Sequence, residues 1–138
     1  MSTIKKFLNL IFIDGLSGMA LGLFSTLIIG TILKQAADLI GGDFGYYLGV
    51  FAVMAQRLTG AGIGIGVAYK YKSSTYVTLS AAAAGMIGAY ATAIISGSIL
   101  SDGALVYSGP GDPLSAFIAA LAGIAVGSLP AGKTKLDL

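Results

Sequence analysis

Three stretches without a single charged residue dominate this chain. Residues 15–33 supply 19 such positions (GLSGMALGLFSTLIIGTIL), residues 73–101 supply 29, and residues 113–132 supply 20 (PLSAFIAALAGIAVGSLPAG). A helix needs about 20 apolar residues to cross a hydrocarbon core ~30 Å thick, so each stretch is long enough. A fourth segment, Phe44 to Tyr69, has the length but carries Arg57 at its middle. The composition agrees: hydrophobic residues are 56% and charged residues 10% of 138, with a mean hydropathy of +0.89. Soluble domains carry about 25% charged residues, and a short chain has a large surface to cover. The bilayer is therefore the solvent to reason with. The expected fold is an all-α integral membrane protein with about four transmembrane helices in a single domain. The spans fall at about 14–34, 44–69, 75–100 and 113–131.

Missing residue types narrow the chemistry. Cys, His and Glu are all absent. That removes disulfides, thiolate nucleophiles, imidazole bases, His-ligated metals and glutamate acids. No metal site, cofactor or intrinsic catalysis is expected. The net charge of +2, with no basic patch interleaved with aromatics, gives no argument for nucleic acid.

Lysine placement tests the span count independently. Four spans put Lys5, Lys6, Lys70, Lys72, Lys133 and Lys135 on one side and only Lys34 on the other, beside Asp38, Asp43, Asp102 and Asp112. Cytoplasmic loops are rich in Lys and Arg. A plasma-membrane location with both termini cytoplasmic follows. Ahead of the first span, Ile4, Phe7, Leu8 and Ile11 recur at helical spacing opposite Lys5, Lys6 and Asn9, so residues 1–13 read as an interfacial amphipathic segment. Asp14 is placed to cap the first span, with a functional intramembrane carboxylate as the sharper alternative.

Small residues recur four apart: Gly18/Gly22, Gly60/Gly64, Gly62/Gly66, Ala81/Gly85/Ala89 and Ala119/Gly123/Gly127. Such stripes let helix backbones approach closely, although glycine enrichment of membrane helices produces them too. Having so many stripes on four spans suggests that some face another subunit.

The second segment carries the strongest functional signal. Gln56 and Arg57 sit in its middle, and glycine alternates at 60, 62, 64 and 66. Each glycine weakens a helix by about 1 kcal/mol against alanine, and a central arginine costs about 2.5–3.5 kcal/mol even on insertion scales. A helix broken or re-entrant around Arg57 to Gly66, near Thr59, is expected. Broken backbone is tolerated at membrane depth where it is buried in protein or lines a cavity. Three readings of Arg57 stand: it binds an anionic or hydroxyl-rich solute, it pairs with Asp14 or another carboxylate, or it snorkels from re-entrant pieces. The candidate solute-binding residues are Gln56, Arg57, Thr59, Gly60 and Gly62. Asp112 joins them from the loop SGPGDPLSAF, where it also suits an N-cap with Pro113 as first helical residue.

One motif match is set aside. Residues 127–134, GSLPAGKT, satisfy the phosphate-loop pattern. That loop requires a preceding strand, whereas an apolar span is expected here.

The ordered motifs GLSGMALGLFSTLIIGTILKQ, AQRLTGAGIGIGVAY, SGPGDPLSAF and GKTKLDL resemble the small EIIC-like family of phosphotransferase-system membrane proteins, which includes proteins labelled perfringolysin O regulators. The resemblance runs along nearly the whole chain and corresponds to the N-terminal part of longer members. It implies a permease-like component for a sugar or related small polar solute. The expected partners are lipid, a second copy or second half-domain, and separate phosphoryl-carrier proteins. Phosphoryl carriers of that system use His or Cys, and this chain has neither. It also lacks the Glu motif that larger sugar members use for substrate. A membrane-embedded solute sensor or regulator that does not transport is the alternative function.

Overall fold

The computed structural model describes residues 2–128. Lys133, Lys135 and most of the GSLPAGKT match, with the end of the fourth expected span, lie outside the described residues.

The described residues are predominantly helical. Helix α1 (Ser2–Asn9) passes through a π-helical turn (Leu10–Gly15) into α2 (Leu16–Ile40). Together they form one apolar helix of 39 residues, long enough to cross a membrane. The amphipathic start is thus continuous with the first long helix. A π turn shifts the hydrogen-bond register, and here the Tyr71 hydroxyl donates to the Leu10 carbonyl at 2.8 Å. The expected capping role of Asp14 fails, because Asp14 lies inside this turn and α2 has no side-chain cap.

Helices α3 (Gly42–Arg57) and α4 (Thr59–Lys70) meet at Leu58 with a bend of 47°. The break falls where the arginine and the glycine alternation placed it. Counted as one broken span, this pair is the second element of membrane-crossing length. Helices α5 (Thr75–Ala89) and α7 (Pro113–Ser128) are apolar but shorter. Ser74 caps α5, its hydroxyl accepting from the Val77 amide at 3.3 Å. The uncharged stretch 73–101 is not one helix. It stops at Tyr90, resumes briefly as α6 (Ala91–Ser96), and turns at the left-handed Gly97 into a hairpin of β1 (Leu100–Ser101) and β2 (Ala104–Leu105).

Helix α4 is the centre of the bundle, with Ile63 and Val67 fully buried. Its two interleaved GxxxG pairs serve opposite neighbours. Gly62 and Gly66 lie against Gly22 and Gly18 of α2, while Gly60 and Gly64 lie against Gly85 and Ala81 of α5. A Cβ on Gly18 would sit 2.5 Å from the Gly66 carbonyl oxygen, and one on Gly60 would sit 2.7 Å from that of Gly85. Backbone is in direct contact on both faces. Close packing of this kind drives helix association in lipid and offsets a helix-propensity cost of about 1 kcal/mol per glycine. The small-residue stripes, only some of which are expected to face another subunit, are at these positions used within the chain.

Candidate functional site

Three interruptions of helix come together at one level of the bundle. They are the α3–α4 bend at Leu58, the end of α5 at Tyr90, and the start of α7 after Gly109–Asp112. The Tyr90 side chain, 7% exposed, joins them. Its hydroxyl donates to the Gly109 carbonyl at 2.5 Å and lies 3.5 Å from the Arg57 carbonyl. The Asp112 amide donates to the Ala89 carbonyl at 2.8 Å, which couples the head of α7 to the end of α5. Gly111 is required between them. Its φ is +78°, and a Cβ there would lie 2.6 Å from the same Ala89 carbonyl oxygen.

The Arg57 guanidinium stacks over the Tyr107 ring, 5.1 Å from its centroid, a cation–π arrangement. Tyr107 packs in turn on Tyr90, with centroids 4.9 Å apart. Arg57 Nε is buried and, among the described residues, has no hydrogen-bond partner. A polar atom in that state carries an unrecovered desolvation cost. The reading in which Arg57 pairs with Asp14 fails on distance. Asp14 sits beside Tyr71 at one end of α4 and Arg57 at the other, and a helix of that length spans about 18 Å.

A groove of about 700 Å³ runs between α2 and α3 and reaches Arg57. Lys34 and Asp38 line one end and Gln56 and Arg57 the other, with Gly45 and Ala52 between. Lys34 and Asp38 stand four apart on α2, the spacing at which helical side chains meet.

The remaining expected residues take different positions. Gln56 lines the groove and packs on Gly30 of α2. Thr59 is fully buried; its hydroxyl donates to the Gln56 carbonyl at 2.7 Å and accepts from Thr26 at 2.9 Å. That bond satisfies a carbonyl left free where α3 ends. Gly60 and Gly62 lie at the contacts with α5 and α2. Asp112 stands at the head of α7, its carboxylate accepting from the Ser115 hydroxyl at 2.5 Å and the Leu114 amide at 3.1 Å. The Ser115 hydroxyl, helped by the backbone amides, holds its pKa below the ordinary carboxylate value. The N-cap expected there is formed.

Tyr90, Tyr107 and Thr26 escaped the sequence reading. Each lies in an apolar or loop context with no spacing that ties it to Arg57. The polar atoms of Tyr90, at the end of α5, and Tyr107, in the loop, were the available signal; Thr26, in the middle of α2, offered none.

Residues 13–138 match the family described as phosphotransferase system, EIIC. No curated protein and no solved structure matches the chain.

Proposed function

The chain belongs to the phosphotransferase-system EIIC family, and from that premise we propose that it is a permease component carrying a sugar or related small polar solute. EIIC proteins reside in the plasma membrane and work with separate phosphoryl-carrying partners. The solute path in this reading is the α2–α3 groove, and its floor is Arg57 with Gln56. One observation carries it. In a chain with only eight basic residues, the single arginine lies at the inner end of the groove with a buried, unpartnered Nε. Intramembrane ionisable groups are costly and serve function by default.

In this reading the chain crosses four times, by α2, the α3–α4 pair, α5 with α6, and α7, with both termini in the cytoplasm. The lysines support this orientation. The Tyr71–Leu10 bond ties the end of α4, with Lys70 and the neighbouring Lys72, to the helix carrying Lys5 and Lys6. Lys34 lies at the opposite end, with the groove. With Lys70 at the cytoplasmic interface, the length of α4 sets Arg57 about 18 Å deep in a core ~30 Å thick. In this reading a second copy or half-domain closes the groove.

Reconstituted vesicles test this. Wild-type protein shows saturable uptake of at least one sugar from a labelled panel when the phosphoryl carriers are supplied, and Arg57→Gln inserts equally but takes up none. Equal uptake by both proteins refutes the assignment of Arg57.

A further inference from the structure

We infer that Arg57 holds an oxyanion, so that the solute seated in the groove bears a carboxylate or phosphate group rather than being a neutral sugar. The inference rests on the groove being the solute path.

The donors and acceptors at the inner end of the groove point this way. A neutral sugar presents hydroxyl groups, and a site for it needs acceptors as well as donors, since each hydroxyl also has a proton to give. The inner end of this groove offers a guanidinium, which is donor-only, and one amide, that of Gln56. Guanidinium is planar, and its N–H fork matches the paired oxygens of a carboxylate or phosphate.

The described carboxylates lie away from the Arg57 end of the groove. Asp14 belongs to the Tyr71 end of α4. Asp38 lines the far end of the groove beside Lys34, Asp43 lies in the first turn of α3, and Asp102 occupies the hairpin turn. Asp112 is engaged by Ser115 and Leu114 at the head of its own helix. What meets the guanidinium is the face of Tyr107. An aromatic face partly neutralises a cation and accepts no fork-shaped pair of hydrogen bonds. Tyr107 thus acts as a placeholder. It holds Arg57 in position while Nε remains unpaired, and an arriving oxyanion supplies the missing acceptor. The phosphate of a lipid headgroup shares this chemistry with a soluble sugar acid, so the experiment separates the two sources.

The test uses the full chain in nanodiscs of phosphatidylcholine, with gluconate and glucose as probes of similar size and different charge. Thermal unfolding of wild type is expected to rise by several degrees with gluconate and not with glucose or an equal concentration of sodium chloride. Arg57→Gln is expected to show no gluconate response, and Arg57→Lys a weaker one, because it retains charge without the fork. Should Arg57→Gln fail to fold, Tyr107→Trp provides a second measurement. The chain has no other tryptophan, so saturable quenching or shift of that emission by gluconate and not glucose reports displacement of the ring from the guanidinium.

Glucose acting as strongly as gluconate overturns the oxyanion inference and leaves the solute path standing. A gluconate effect that persists unchanged in Arg57→Gln overturns the assignment to Arg57. In discs containing phosphatidylglycerol, a rise that needs Arg57 and leaves gluconate nothing to add supports the oxyanion site. That result assigns it to lipid and counts against the groove as solute path.

Discussion

The hydroxyl of Tyr90, at the end of α5, reaches across the helix break to the carbonyl of Gly109 at 2.5 Å. The two residues stand 19 positions apart, with α6 and the hairpin between them. The same hydroxyl lies near the Arg57 carbonyl, so one side chain serves all three interruptions. Tyr90→Phe keeps the ring and its packing on Tyr107 and removes only the bond. Loss of a part-buried hydrogen bond that strands a carbonyl costs about 1–3 kcal/mol. The expected outcome is a lower unfolding midpoint together with faster amide hydrogen exchange over 97–111, with α2 and α4 unchanged. Uniform acceleration across the chain would show that Tyr90 supports the whole bundle instead.

Glycines of α2 and α3 give a sharper contrast. A Cβ on Gly22 would collide with the Gly62 carbonyl on α4, whereas one on Gly49 would meet only the Ala37 methyl at 3.9 Å. Overpacking costs about 1–3 kcal/mol, and more is expected where the obstacle is backbone that cannot rotate away. Gly22→Ala should therefore destabilise the protein by at least about 2 kcal/mol, with α2 and α4 moving apart. Gly49→Ala should be neutral or stabilising by up to about 1 kcal/mol through helix propensity. Unfolding of both variants in the same detergent makes the comparison.

These glycines show what the sequence could and could not reveal. GxxxG spacing announced close contacts, and the alternation at 60–66 with Arg57 announced a break. Both depend on neighbours within a few residues, so the linear order carries them. Which helix each glycine meets is a different matter. Gly62 faces α2 and Gly60 faces α5 because α4 is sandwiched between them, and that follows only from the packing of the entire bundle. The length of the stretch 73–101 was likewise misleading. Absence of charge says that a segment tolerates lipid, but Tyr90 and Gly97 decide where helix stops. Tyr107 joins Arg57 across 50 positions of chain that no local pattern links.

Asp112 gives a pH prediction. Its carboxylate has a depressed pKa, held chiefly by the Ser115 hydroxyl and then by the backbone amides. A depressed folded value means that the unfolded chain takes up the proton first. The stabilisation is present above the ordinary aspartate pKa, about 3.9, and is lost as pH falls through the lower folded value. Asp112→Asn, which still caps but does not titrate, should keep most of the neutral-pH stability. The gap between it and wild type should narrow on acidification from pH 6 to about pH 3. A gap that widens would place the relevant titration on another carboxylate.

The pair Thr26–Thr59 tests how the bend is held. Thr59 donates to the Gln56 carbonyl, freed by the end of α3, and accepts from Thr26. Thr26 can instead satisfy its hydroxyl on the Gly22 carbonyl of its own helix, at 2.9 Å. The two losses are therefore unequal. Thr26→Val removes a bond whose partner keeps its other contact, whereas Thr59→Val strands a carbonyl at the bend in a fully buried position. Thr59→Val should cost about 1–3 kcal/mol, clearly more than Thr26→Val. The double variant should show a coupling of at least about 0.5 kcal/mol, as expected for residues in contact. Additive losses would mean that the hydroxyls share no bond, and the bend would then rest on the glycine contacts of α4 alone. A spin-label distance across Leu58 would separate the cases, since a bend held by Thr59 should straighten measurably in Thr59→Val.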